Sequence, residues 1–192
     1  MNIIEQKLTE SKKYTRYQVQ KMMYVIKTLS ADISKIIILG IIFRNHLGAF
    51  IAAMTLLFLL RSFSGGIHNN TYLGCFMTSL TYLYLSIIVL PPIIIPFSIK
   101  IVALTACMVL CEWIGPVTSK YRPPLSQAKI AICKSITTTV IFIFILISNI
   151  VPESPYIAIG FWVVILHVLQ LIIAKCIVAA RKKQKKGDDI KC

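Results

Sequence analysis

Residues Tyr156–Ala174 read YIAIGFWVVILHVLQLIIA. Crossing the roughly 30 Å hydrocarbon core of a bilayer takes about 20 predominantly apolar residues in a helix, and this almost uninterrupted run meets that demand. Immediately upstream, Ile136–Val151 is a second such run, joined to the first by Pro152-Glu153-Ser154-Pro155. Further upstream, Ile101–Val117 is apolar apart from Glu112, and Leu73–Ile99 carries only scattered Ser, Thr and Tyr. Pro91-Pro92 and Pro96 mark a turn or a helix end inside that stretch. The whole chain agrees with its parts. Over 192 residues, 57% are hydrophobic and 15% charged, whereas a soluble domain is about 45–50% apolar and about 25% charged. A soluble fold and a disordered chain are both excluded. The fold class is an all-α polytopic membrane protein.

The segment Ile36–Leu60 is apolar on both sides of Arg44-Asn45-His46. A single span would bury Arg44 at a cost of several kcal/mol. Two short helices with the triplet as their turn avoid that cost, although Leu47–Leu60 alone rises only about 21 Å. Before it, Asn2–Ser30 interleaves Ile4, Leu8, Val19, Met22, Val25 and Leu29 with lysines, the pattern of an amphipathic helix lying in the membrane interface. No uncharged core with a cleavage site appears there, so insertion is expected from the spans themselves.

The formal net charge is +14, from 21 Lys+Arg against 7 Asp+Glu. Read by position, the charge speaks for topology and against a nucleic-acid partner. Six crossings place the N-terminus, Arg61, the Lys120–Lys134 connection and the Arg181–Lys186 tail on one side, leaving Arg44 and Lys100 outside; five would split the basic clusters. The positive-inside rule therefore favours about six transmembrane helices with both termini cytoplasmic. The expected organisation is an interfacial segment over 1–30, a membrane-embedded domain over 31–180 and a basic tail over 181–192.

Of the six cysteines, none forms a Cys-x-x-Cys pair, so neither a disulfide framework nor a metal site is expected. Cys107 and Cys111, four apart, read as small packing residues. His46 reads as an outer-loop residue and His167 as a packed residue of the last span. Glu112 reads as an interfacial acid paired with Lys120 or water; orienting His68 or pairing with Arg61 is the rarer alternative.

The segment Arg61–Cys75 is different. It brings His68 and Cys75 to the mouth of a span. Thiol chemistry needs the thiolate, and an imidazole within about 3 Å can take its proton. Positions seven apart on one helix are separated by about 10.5 Å along the axis, so the chain between them must bend. Asn69 and Asn70 suit a bend or a cap, and Gly65-Gly66 permit close approach. A helix N-terminus favours an anion at Cys75.

The pattern Arg61-x4-Gly66-x-His68-x6-Cys75, opening a span of a small six-helix membrane protein, resembles the accessory gene regulator B (AgrB) family. The basic amphipathic N-terminus, the hydropathy profile and the lysine-rich tail fit the same resemblance over essentially the whole chain. Gly115-Pro116-Val117 followed by Arg122-Pro123 looks like that family's Pro-Val…Lys/Arg-Pro connection, with Tyr121 and Pro124 departing from its commonest form. The resemblance implies a cysteine endopeptidase of the cytoplasmic membrane of a Gram-positive bacterium. It would act in quorum sensing, maturing an AgrD-type propeptide into a cyclic autoinducing peptide without a cofactor or metal. His68 would be the general base and Cys75 the nucleophile, with Arg61 and Gly66 supporting them or binding substrate. The lipid bilayer and the propeptide are the implied partners, and so small an enzyme is compatible with a homodimer. The competing classes are a non-enzymatic transporter or sensor and a membrane-anchored binding protein, neither of which gives the Cys75 thiol a role.

Overall fold

The computed structural model describes residues 16–66, 71–117 and 125–188. His68, Asn69, Asn70, Lys120 and Arg122 lie outside the described residues. The described residues are helical with no strand, only an isolated bridge between Gly65 and Val117. By contacts the chain divides into two units, 1–44 and 45–192.

The first unit contains α1, Arg16–Ile42. The helix runs without a break across residue 30, about 40 Å at 1.5 Å per residue. No proline interrupts it, and Lys35 pairs with Asp32 at 2.8 Å one turn earlier, a spacing that supports a helix. The apolar stretch expected to begin a separate hairpin at Ile36 is thus the last part of this one helix. Arg44–His46 forms a single 3-10 turn, with His46 exposed. The break expected between two helices falls at this triplet.

The second unit is a five-helix bundle. Its helices are α2 (Leu47–Ser64), α3 (Tyr72–Tyr84, continued by a π turn over Leu85–Val89), α4 (Phe97–Ile114), α5 (Gln127–Ile150) and α6 (Pro155–Asp188). Among the described residues, five segments are long and apolar enough to cross a membrane: Arg44–Ser64, Tyr72–Val89, Phe97–Ile114, Gln127–Ile150 and Pro155–Ala180. The chain is a multi-pass membrane protein. The remaining expected crossing, from Ile36 to the Arg44 triplet, corresponds to the last two turns of α1, too short alone to cross a membrane. In α2, the anticipated shortfall in length does not arise. The helix continues through Arg61-Ser62-Phe63-Ser64, because nothing in that polar stretch breaks a helix before Gly65.

Packing follows the helical period. In α2 the buried positions are Phe50, Ala53, Leu57, Leu60 and Ser64, alternately three and four apart. In α6 Phe161, Val164, Val168 and Leu171 are buried at the same spacing, and in α4 Leu104, Cys107 and Cys111. Such stripes let side chains of facing helices interdigitate. Of α6's apolar window 56% is buried, against 17% for α4 and α5, so α6 is the central helix. Cys107 and Cys111 sit in the shared core of α4, α5 and α6, where their small side chains allow close approach. Gly160 serves the same end: a Cβ there would fall 2.5 Å from the Phe144 ring.

α3 attaches differently. Its fully buried residues are Tyr82 and Leu83, followed in the π turn by Ser86 and Ile87. The Tyr82 hydroxyl donates to the Val163 carbonyl of α6. The π turn closes with Leu90 N–H on the Leu85 carbonyl at 3.0 Å, just before Pro91-Pro92 ends the helix.

Candidate active site at the Ser64 end of the bundle

α2 stops where two glycines allow it to. Gly65 has φ +77, and its N–H caps the Arg61 carbonyl at 3.0 Å. Only glycine adopts this conformation readily. The chain then runs beside the segment leaving α4. Val117 N–H donates to the Ser64 carbonyl at 2.9 Å, and a Cβ on Gly65 would lie 2.1 Å from the Val117 carbonyl oxygen. A Cβ on Gly66 would lie 3.4 Å from Arg61 Nε. The supporting pair expected from sequence, Arg61 and Gly66, is therefore adjacent, with the half-buried arginine lying along the glycine.

α3 begins on the far side of the short segment that carries His68. Its N-cap is Thr71, whose Oγ1 accepts from Gly74 N–H at 3.2 Å. The cap thus falls at Thr71, one residue after the asparagines suggested from sequence. Threonine in the extended conformation offers the helix start the same kind of oxygen. Cys75 N–H bonds the Thr71 carbonyl at 3.1 Å, placing Cys75 in the first turn. Its side chain is half-buried and outside any disulfide. Ser79 Oγ donates to the Cys75 carbonyl at 3.0 Å, one turn further along α3. The sequence-based expectation of a cysteine near a helix N-terminus corresponds to this position.

Behind the end of α2 lies a polar contact that spacing did not reveal. Ser64 Oγ is 2.6 Å from His167 Nε2, both residues being buried. The partners are 103 residues apart, so no local pattern connects them. The usable signal was a histidine inside an otherwise apolar span. Glu112 turns elsewhere. Thr138 Oγ1 donates to it at 3.1 Å and Lys134 Nζ lies at 4.0 Å, both on α5. These three line an open groove of about 550 Å³ between α4 and α5. The acid is paired, as the commoner reading expects, but with Lys134 and Thr138; Lys120 lies outside the described residues. Lys175 Nζ caps the end of α4 by donating to the Ile114 carbonyl at 2.8 Å.

The fold defines a helical multi-pass membrane protein, with an arginine and two glycines at the end of α2 and a cysteine in the first turn of α3. Residues 1–172 match the family described as accessory gene regulator B, and the chain belongs to that family. No curated protein and no solved structure matches it. Family membership supports a role in agr quorum-sensing peptide processing, with an AgrD propeptide as the substrate.

Proposed function

We propose that the protein is a cysteine endopeptidase that removes the C-terminal tail of an AgrD-type propeptide and promotes cyclisation of the remainder. The observation that carries this reading is Cys75 in the first turn of α3, a few residues beyond Gly66. His68 stands three residues before Thr71, the N-cap of α3, in the sequence, and this reading assigns it the role of base. His68 takes the Cys75 proton, and the sulfur attacks the carbonyl preceding the tail. The tetrahedral intermediate collapses with cleavage of the C–N bond, and the imidazolium delivers its proton to the departing amine. The peptide is then a thioester on Cys75. A thiol or hydroxyl within it attacks that carbonyl, the C–S bond breaks, and a thiolactone or lactone leaves while Cys75 recovers its proton. Arg61 stabilises the oxyanion or holds a propeptide carboxylate. Flanking helices restrict water, which would otherwise hydrolyse the thioester.

The site faces the cytoplasm on this reading, in line with the positive-inside rule. Rapid denaturation of protein mixed with propeptide, followed by mass analysis, tests the mechanism. The expected adduct is the N-terminal part of the propeptide on Cys75, released by hydroxylamine; an adduct on another cysteine, or none, overturns it. The basic connection after α4 attracts an acidic tail. Reversing the charges of Lys120, Arg122 and Lys129 together is expected to raise KM by about tenfold at low salt, with a smaller effect at high salt. Unchanged kinetics would discard the steering.

A further inference from the structure

His167 lies inside the apolar stretch Pro155–Ala180 of α6, and none of its surface is exposed. An imidazole there costs free energy that an apolar side chain would not, because both ring nitrogens leave water. Among the described residues only Nε2 has a hydrogen-bond partner, Ser64 Oγ at 2.6 Å; Nδ1 is buried without one there. The Ser64 hydroxyl is itself committed, donating to the Leu60 carbonyl at 2.6 Å. Nε2 is then the donor and Ser64 Oγ the acceptor. A leucine would fill the same space between α2 and α6 without stranding a nitrogen, so stability does not account for the histidine. The hydrogen bond adds direction instead. Ser64 is the last residue of α2, and the two glycines after it carry no side chains to set the path of the chain. Two contacts set it from outside: Val117 N–H on the Ser64 carbonyl, and His167 on the Ser64 hydroxyl.

We propose that His167 is a positioning residue for the Cys75 site, pinning the end of α2 and with it the stem from which the His68 segment departs. The inference rests on the peptidase reading above. Without the imidazole, Ser64 keeps its bond to Leu60 and the helix survives, but the stem can turn against α6. Errors of about 1 Å in such a stem can cost roughly 100-fold in rate.

The test uses the full chain in lipid nanodiscs with propeptide as substrate, comparing wild type with His167→Leu, His167→Gln, Ser64→Ala and the double variant His167→Leu/Ser64→Ala. His167→Leu is expected to lower kcat by about 10–100-fold, with KM changed by less than about twofold and no fall in the thermal midpoint. Gln carries an N–H at nearly the position of Nε2, so His167→Gln is expected to recover most of kcat. Ser64→Ala should lose as much as His167→Leu, and the double variant no more than either, because both remove one interaction. A readout without turnover is alkylation of Cys75 by iodoacetamide, followed on the Cys75 peptide; it should slow in parallel with kcat. Unchanged kcat and alkylation in His167→Leu overturn the inference, as does a loss that tracks a lowered thermal midpoint and is not recovered by Gln. If His167→Leu does not fold, Ser64→Ala and His167→Gln decide in the same way. A wild-type enzyme that cleaves equally well after Cys75→Ala overturns the peptidase reading itself, whereas Cys75-dependent cleavage indifferent to His167 sinks only this proposal.

Discussion

Cys75→Ala is expected to reduce release of the propeptide tail by about 10⁴-fold or more, and His68→Ala to do nearly the same, because a nucleophile and its base act as one unit and their losses do not add. The measurement is coexpression of each variant with a tagged propeptide, followed by separation of cleaved from uncleaved forms. Cys107→Ala is the internal control. That side chain is buried in the core shared by α4, α5 and α6, and its shortening removes little volume, so most cleavage should persist. The three variants separate the competing classes. A transporter or sensor gives Cys75 and Cys107 equal standing, and cleavage that survives Cys75→Ala would remove the enzymatic reading. The contrast also guards against a general effect of cysteine removal, since both variants lose one thiol from the same bundle.

Gly65→Ala is expected to be the most damaging substitution outside the dyad. Two physical effects coincide there. The backbone sits at φ +77, and holding a non-glycine residue in such a region costs about 1–3 kcal/mol. The added methyl would also lie 2.1 Å from the Val117 carbonyl oxygen, a rigid backbone atom that cannot rotate away. The chain must give way by breaking the Val117–Ser64 hydrogen bond, the contact that joins the segments leaving α2 and α4. Propeptide cleavage should fall by about 100-fold or more from the resulting displacement, and the thermal midpoint should drop by several degrees. Ala at Gly48 is the comparison. A Cβ there meets only the far end of the Tyr156 side chain, which can move, so Gly48→Ala should retain most of both. Equal behaviour of the two variants would show that the Gly65 turn is unimportant.

Several features of this molecule are legible in sequence because they depend on one-dimensional physics. The spans follow from uninterrupted apolar runs, and the turn at Arg44–His46 follows from the cost of burying a guanidinium. Cys75 at a helix start follows from the boundary between the polar Arg61–Thr71 stretch and the next apolar run. Other features depend on three-dimensional facts. α2 extends to Ser64 because a polar helix end is tolerated until a glycine stops it, and polarity alone does not mark a loop. α1 continues through residue 30 because no proline or glycine interrupts the chain there, whereas hydropathy sees a change of character. The partner of Glu112 is on α5, and the Ser64–His167 contact joins the end of α2 to α6. Neither has a local signature, and His167 was legible only as an oddity within an apolar run.

The way α3 is attached has a mechanical consequence. Its buried residues all lie in its second half, from Tyr82 to Ile87, while the thiol sits near the opposite tip. The helix is held most firmly at that end, with Cys75 some 10 residues, or about 15 Å, from Leu85 at the start of the π turn. At that arm length, a pivot of only a few degrees at the π turn sweeps the sulfur through about 1 Å, enough to change a reaction rate substantially. Lipid thickness or an incoming peptide pressing on the outer half of this lever would therefore be felt at the sulfur atom, without any contact at the sulfur itself.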